Sequence, residues 1–260
     1  IVFPGFTAPK LLWVKNNEPD LFKKIKTAVL PASYLNTWLI GAAFADMSDC
    51  AGTSWLDVKL RKWSEHLIAS GGMQIEQMPK LVEGNQIAGK IRSDLASELG
   101  FPKDVVIVGG AGDNAAAACG VGAINEGQGL LSLGTSGVLL ISRDQCKPFP
   151  SAAVHTFCHA IPNKWYQMGV ILSATDSINW LSQISGKSAS ELDQLLPDEP
   201  TGPADEKFFP YLSGERTPLN DAHIRAGFAG LGQTSDLAKL TQCIMAVSYT
   251  HLTLPTTPYV

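Results

Sequence analysis

The chain has 260 residues, 45% of them apolar, and its 24 acidic and 20 basic side chains give a formal net charge of −4. That is enough apolar material for a sizeable core, in one large domain or two smaller ones. An acidic balance without a long Lys/Arg run disfavours a nucleic-acid partner and points to small molecules. No apolar stretch is long enough to span a bilayer, and Ile1-Val2-Phe3-Pro4 has neither the basic start nor the apolar centre of a signal peptide, so a cytoplasmic protein without a membrane partner is expected. Cys50, Cys119, Cys146, Cys158 and Cys243 are odd in number and lack CxxC spacing, which predicts buried thiols rather than disulfides or zinc.

The chain opens without an initiator Met, and Pro4-Gly5 leads straight into Thr7 to Val14, as the middle of a domain would. Residues 8–40 read as helix, turn and helix, with Trp13, Leu21, Ile25, Leu35, Trp38 and Leu39 as core candidates. Asp46 to Trp63 is polar and turn-rich and predicts a short strand or loop near a cleft. A helix over 63–69, a Gly/Pro-punctuated loop, a helix over 93–99 and a strand over 105–108 follow. That strand runs into Gly109-Gly110-Ala111-Gly112-Asp113-Asn114 and a helix of small residues. After Gly122 the pattern changes to strands at 129–133, 137–142, 156–160 and 167–171, then a helix over 174–184. Short turns between these strands predict a mixed sheet opening a second domain, with the boundary at Ala123-Ile124-Asn125 and domains of 1–123 and 124–245. Helical spacing over Leu237 to Met245 gives way to a Thr/Pro-rich end without a cap, so residues 246–260 are expected to be a foreign tail, a flexible native tail being the alternative.

Two glycine turns carry the chemistry. The first presents the carboxylate of Asp113 at the end of a strand, where open α/β sheets bind ligands and a general base is well placed. The duller reading of Asp113 is a helix N-cap. Gly110-x-Gly112-x-x-Ala115 also fits a dinucleotide fingerprint formally, but the acidic residue that such a fold places about 20 positions on is missing. The second turn, Gly134-Thr135-Ser136-Gly137, offers close backbone approach and hydroxyl donors to phosphate oxygens, with a plain hairpin loop as the alternative. No Gly-Lys-Ser/Thr follows, so it is not a Walker loop. Together, a base for an alcohol proton and a donor-lined turn suggest phosphoryl transfer. His155 and His159 sit four apart, but Thr156-Phe157-Cys158 between them favours a strand and core or cleft histidines over a metal pair. Arg216 either pairs with Glu215 in a structural loop or lines a nucleotide cleft.

Gly5-Phe6-Thr7-Ala8-Pro9-Lys10-Leu11-Leu12-Trp13-Val14-Lys15-Asn16-Asn17 resembles the first signature of the FGGY carbohydrate kinases. The xylulokinase branch is resembled through Asp46-Met47-Ser48-Asp49, Gly52-Thr53-Ser54-Trp55-Leu56-Asp57, Gly112 to Ala116, Leu131 to Val138 and Pro210 to Pro218, in order, over about residues 3–245. The resemblance implies an actin-like, ribonuclease-H-like ATPase fold of two domains around a cleft, both incomplete here, with sugar held mainly by the first and ATP by the second. It implies transfer from ATP, with Mg²⁺ bridging the phosphates, to D-xylulose, giving D-xylulose 5-phosphate. Asp113 becomes the catalytic base, Asn114 a sugar contact, and Gly134, Thr135 and Ser136 contacts to ATP, with no metal ligand assigned to the chain itself; a homodimer is compatible with this. Alternatives are a kinase of ribulose, gluconate, fuculose or glycerol, or a non-catalytic actin-like ATP-binding protein. The family's N-terminal Asp-Leu-Gly-Thr-Ser turn, its Gln-Met-His-Gly sugar segment and its late glycine-rich adenosine site are absent. A second signature starting at Ala226-Gly227-Phe228-Ala229-Gly230-Leu231 departs from the pattern at Lys239 and Ala246. The chain is accordingly read as an internal piece of such a kinase, inactive by itself.

Overall fold

A computed structural model describes residues 2–197 and 204–253. Its elements run α1 (Thr7–Asn17), α2 (Pro19–Phe22), α3 (Pro31–Ile40), β1 (Phe44–Asp46), α4 (Met47–Cys50), β2 (Leu56–Asp57), β3 (Lys62–Trp63), α5 (Glu65–Ser70), β4 (Lys80–Val82), β5 (Ile87–Lys90), α6 (Ser93–Leu99), β6 (Val106–Val108) and α7 (Asp113–Gly120). They continue as β7 (Gly129–Leu133), β8 (Gly137–Arg143), β9 (His155–Cys158), β10 (Trp165–Ile171), α8 (Asp176–Ser185), α9 (Ala189–Asp193), β11 (Lys207–Phe209), β12 (Gly227–Ala229) and α10 (Leu237–Thr253). The chain divides into two compact units: 1–129 with 141–148 and 156–167, and 130–140 with 149–155 and 168–260. The division therefore falls a few residues beyond Ala123-Ile124-Asn125, and the chain returns to the first unit twice. No helix among the described residues is long and apolar enough to cross a membrane.

In the first unit β1 pairs in parallel with β4, matching Ala45 to Leu81 and Asp46 to Val82, while β5 pairs with β6 antiparallel. Ala45, Cys50, Ala51, Leu56 and Cys158 form one buried cluster, and Trp55, Ile68, Met73 and Met78 form another, on which Ala8, Leu11 and Ile25 pack. The sequence-based core assignment for the opening helices needs correcting: Trp13, Leu21, Leu35 and Trp38 are 60%, 57%, 59% and 44% exposed. α1 and α3 carry apolar side chains on more than one face. Periodicity marks such helices as amphipathic without telling which face meets the core.

The strand order β7-β8-β10-β9 makes the four-stranded sheet expected after Gly122. β7 lies at its edge and is largely exposed. In the second unit Leu181, Leu192, Phe208, Cys243, Ile244 and Val247 form the core, with Trp180 stacked on Phe208 at 6.0 Å between centroids. α9 starts in a capping box in which Ser188 Oγ accepts from the Glu191 N–H and Glu191 Oε2 accepts from the Ser188 N–H. α10 does not stop at Ala246: it runs to Thr253, and Val247 packs in the core. Leu254 and Tyr259 lie outside the described residues.

Candidate active site

One candidate element is the turn from β6 to α7. Gly109 comes so close to the 83–86 loop that an added Cβ would lie 2.4 Å from the Glu83 carbonyl oxygen, and Gly110 holds φ at +81°. Only glycine meets both demands without strain. The loop is itself pinned. Arg61 donates from Nε and Nη2 to the two carboxylate oxygens of Glu83 at 2.9 and 2.6 Å, and from Nη1 to the Lys164 carbonyl at 2.9 Å. Such two-pronged pairing fixes orientation as well as distance.

The turn delivers Asp113 as the first residue of α7, exposed, with Gly112 as the capping residue. The capping role is thus not taken by Asp113, whose Oδ1 accepts from the Asn114 N–H at 2.7 Å and from Asn114 Nδ2 at 3.0 Å. Asn114 therefore orients the carboxylate and keeps its own amide oxygen for another donor. β6 and β7, the strands on either side of α7, belong to different sheets, which removes the dinucleotide reading, since that requires a parallel strand-helix-strand unit.

A buried relay supports the start of α7. The Gly112 N–H donates to Ser48 Oγ at 2.9 Å, and Ser48 donates to Asp46 Oδ1 at 2.5 Å. Asp46 Oδ1 also accepts the N–H groups of Ser48 and Asp49 at 2.8 and 3.0 Å, capping α4. Gly112 lies against Asp49, whose Cα would stand 3.2 Å from an added Cβ. Burial, then the charges of Asp46 and Asp113, push the Asp49 carboxyl up from 3.8 to about 6. Tyr166, buried edge-on to Phe157 and His159, has its phenol raised by burial first and then by Asp113.

The Asp49 shift has a sign that can be measured. Its folded value lies above the unfolded one, so the stability it contributes is present below pH 3.8 and is lost as pH rises through about 6. Asp49→Asn should flatten that part of a plot of melting temperature against pH. An unchanged slope between those limits would show that Asp49 titrates normally. His155 makes the difference measurement necessary, because burial and then the Arg216 charge hold it down to about 4, and its contribution falls in the opposite direction, as pH drops.

A separate candidate element is the Gly134-Thr135-Ser136 turn between β7 and β8. The loop from β10 into α8 holds it by its carbonyls. Thr135 O accepts the Ala174 N–H at 2.8 Å, and Gly134 O accepts the Thr175 N–H at 3.0 Å and its hydroxyl at 2.8 Å. Ser136 Oγ donates to the Leu172 carbonyl at 3.1 Å, which spends the hydroxyl proton that the sequence assigned to a phosphate. Thr135 is exposed, and among the described residues its hydroxyl and the N–H groups of Thr135 and Ser136 donate to no protein acceptor. With its carbonyls turned into the protein, the turn can present these donors to an anion. An added Cβ at Gly134 would make only an ordinary contact with Ser136 O at 3.8 Å, whereas one at Gly137 would stand 2.7 Å from Ile171 Cγ1.

His155 is in β9 and His159 just after it, both buried, so the strand reading is the one observed. Among the described residues no three His, Cys, Asp or Glu side chains converge as a metal cage. Glu215 is buried and accepts the main-chain N–H of Arg216 at 2.7 Å, so their relation is partly through backbone.

Residues 1–120 match the N-terminal domain of the FGGY family of carbohydrate kinases, and residues 129–248 match its C-terminal domain. The xylulose kinase of Escherichia coli K12 is 41% identical over 250 residues, which are 94% of this chain and 51% of that protein. A solved structure described as a xyloylose kinase from Brucella ovis is 52% identical with a TM-score of 0.92, covering 94% of this chain and 50% of that one. A solved gluconate kinase from Lactobacillus acidophilus is 27% identical with a TM-score of 0.85, covering 96% and 51%. The chain thus spans about half the length of the relatives it matches, and its fold is that of their half, the actin-like ATPase fold. With a domain match on either side of residues 121–128, the chain belongs to the FGGY family of carbohydrate kinases.

Proposed function

We propose that this chain forms part of a kinase that transfers the γ-phosphoryl group of ATP to the terminal hydroxyl of D-xylulose. The observation that carries the reading is Asp113: an exposed carboxylate at the start of α7, oriented by Asn114, with Oδ2 unbonded among the described residues. A carboxylate so placed can accept the hydroxyl proton as the alcohol attacks phosphorus. Asn114 offers its amide oxygen to a sugar hydroxyl. Thr135 Oγ and the N–H groups of Thr135 and Ser136 contact ATP phosphates, Gly134 letting them approach. Mg²⁺ would accompany the ATP phosphates and offset their charge. The curated xylulose kinases among the relatives favour xylulose as acceptor. Gluconate is the second reading, favoured by the solved gluconate kinase that matches over the same half.

An ADP-release assay with Mg-ATP and xylulose, ribulose, glycerol or gluconate tests this. The 260-residue chain should stay at background, because positioning supplies most of the acceleration in phosphoryl transfer and the family's other phosphate turn, sugar segment and adenosine site are not in the sequence. The protein extended to the length of its relatives should respond best to xylulose. A preference for gluconate would select the second reading, and turnover by the 260-residue chain would refute the inertness.

A further inference from the structure

Glu215 is 4% exposed, and among the described residues its Oε2 has no hydrogen-bond partner. Burying a carboxylate with an oxygen unpaired is unfavourable, so a chain with only space to fill would place an apolar side chain there. Burial raises its pKa, and the N–H groups of Arg216 and Leu172, then the Arg216 charge, work against that rise. What the carboxylate does in this position is accept the Leu172 N–H at 3.1 Å, across 43 residues of sequence.

Leu172 is the hub of the bonds that hold the Gly134–Ser136 turn. Its N–H goes to Glu215 and its C=O receives Ser136 Oγ, while Ala174 and Thr175, two and three residues on, hold the carbonyls of Thr135 and Gly134. The carboxylate is anchored on stiff backbone. Glu215 exchanges both main-chain bonds with Asp221, at 2.8 and 2.9 Å. Thr217 donates its N–H to the Val170 carbonyl at 3.0 Å, and its hydroxyl accepts from the Val170 N–H at 3.1 Å and donates to Ala153 O at 3.2 Å. The segment therefore clamps the last residues of β10, and Glu215 sets the residue just past its end. We infer that Glu215 is a positioning residue for nucleotide binding, holding the Leu172–Thr175 segment so that the Gly134–Ser136 turn keeps its carbonyls inward and its donors outward. This rests on the proposed phosphate role of that turn.

Two substitutions and two readouts test it. Glu215→Leu removes the acceptor, and Glu215→Gln keeps an oxygen for the same N–H groups. In the full 260-residue chain, amide exchange at Leu172, Ala174 and Thr175 should quicken by about tenfold or more in Glu215→Leu, the loss of roughly one buried hydrogen bond, and return towards wild type in Glu215→Gln. In the protein extended to the length of its relatives, the KM for ATP should rise about tenfold in Glu215→Leu, from the same lost bond, while the sugar KM holds. If Glu215→Leu does not fold, Ser136→Ala opens the Leu172 link from the other side and should speed exchange at the Ala174 and Thr175 amides alike. Unchanged exchange, a glutamine variant no better than leucine, or a shift confined to the sugar KM overturns the positioning role. Faster exchange with an unchanged ATP KM upholds the positioning and overturns the phosphate role of the turn instead.

Discussion

Asp113→Asn, made in the protein extended to the length of its relatives, should lower turnover by about 10²–10⁴ while leaving sugar affinity intact. Asparagine keeps the side-chain size and an oxygen for the Asn114 N–H groups, so α7 should start as before. The start of the helix does not depend on a carboxylate there, because Gly112 is the cap and Ser48 and Asp46 hold it. What asparagine cannot do is accept the hydroxyl proton. Single-turnover and sugar-binding measurements on the same variant check the split, and near-normal turnover would remove Asp113 from the base role.

Gly134→Val should weaken ATP by about 10–100-fold, the equivalent of one hydrogen bond to a charged group. Gly134 meets no atom closer than 3.8 Å from an added Cβ and has no positive φ, so the folded chain should accept the side chain. The bulk would then stand only in the path of a ligand. Gly137→Val is the control that should fail for a different reason: its Cβ would collide with Ile171 at 2.7 Å, and overpacking costs about 1–3 kcal/mol. Equilibrium titration with ATP and, separately, with sugar distinguishes them. Lost sugar affinity with ATP binding unchanged in Gly134→Val would reverse the proposed assignment.

Elements set by local rules were legible in the sequence. The helix over 93–99 and the strands near 129–133 and 167–171 follow from periodicity and from the glycines that bound them, and they occur as α6, β7 and the end of β10. The two candidate turns were legible for the same reason, since glycine runs after apolar strands are local features. What supports those turns was not. Gly112 and Ser48 are 64 residues apart, Glu215 and Leu172 are 43 apart, and Arg61 and Glu83 are 22 apart, so each contact is set by tertiary packing and leaves no spacing to read. A cap at Asp113 was the alternative reading because Asp before a run of alanines fits that position well, and the backbone puts the cap one residue earlier, at Gly112. The exposed Trp13 and Trp38 show the same limit from the apolar side.

The tight approach around Gly109 bears on how the candidate catalytic turn can be moved between proteins. An added Cβ at Gly84 would stand 2.5 Å from the Ala160 carbonyl oxygen and 2.8 Å from that of Gly110, as one at Gly109 would from Glu83. Three backbones meet there with room for hydrogen alone. A chimera that grafts residues 109–114 into another scaffold would therefore import a loop without its bed. The transferable unit is a discontinuous cassette of 46–49, 83–86, 109–114 and the stretch at Ala160, and crossover points inside it would separate parts that fit only one another.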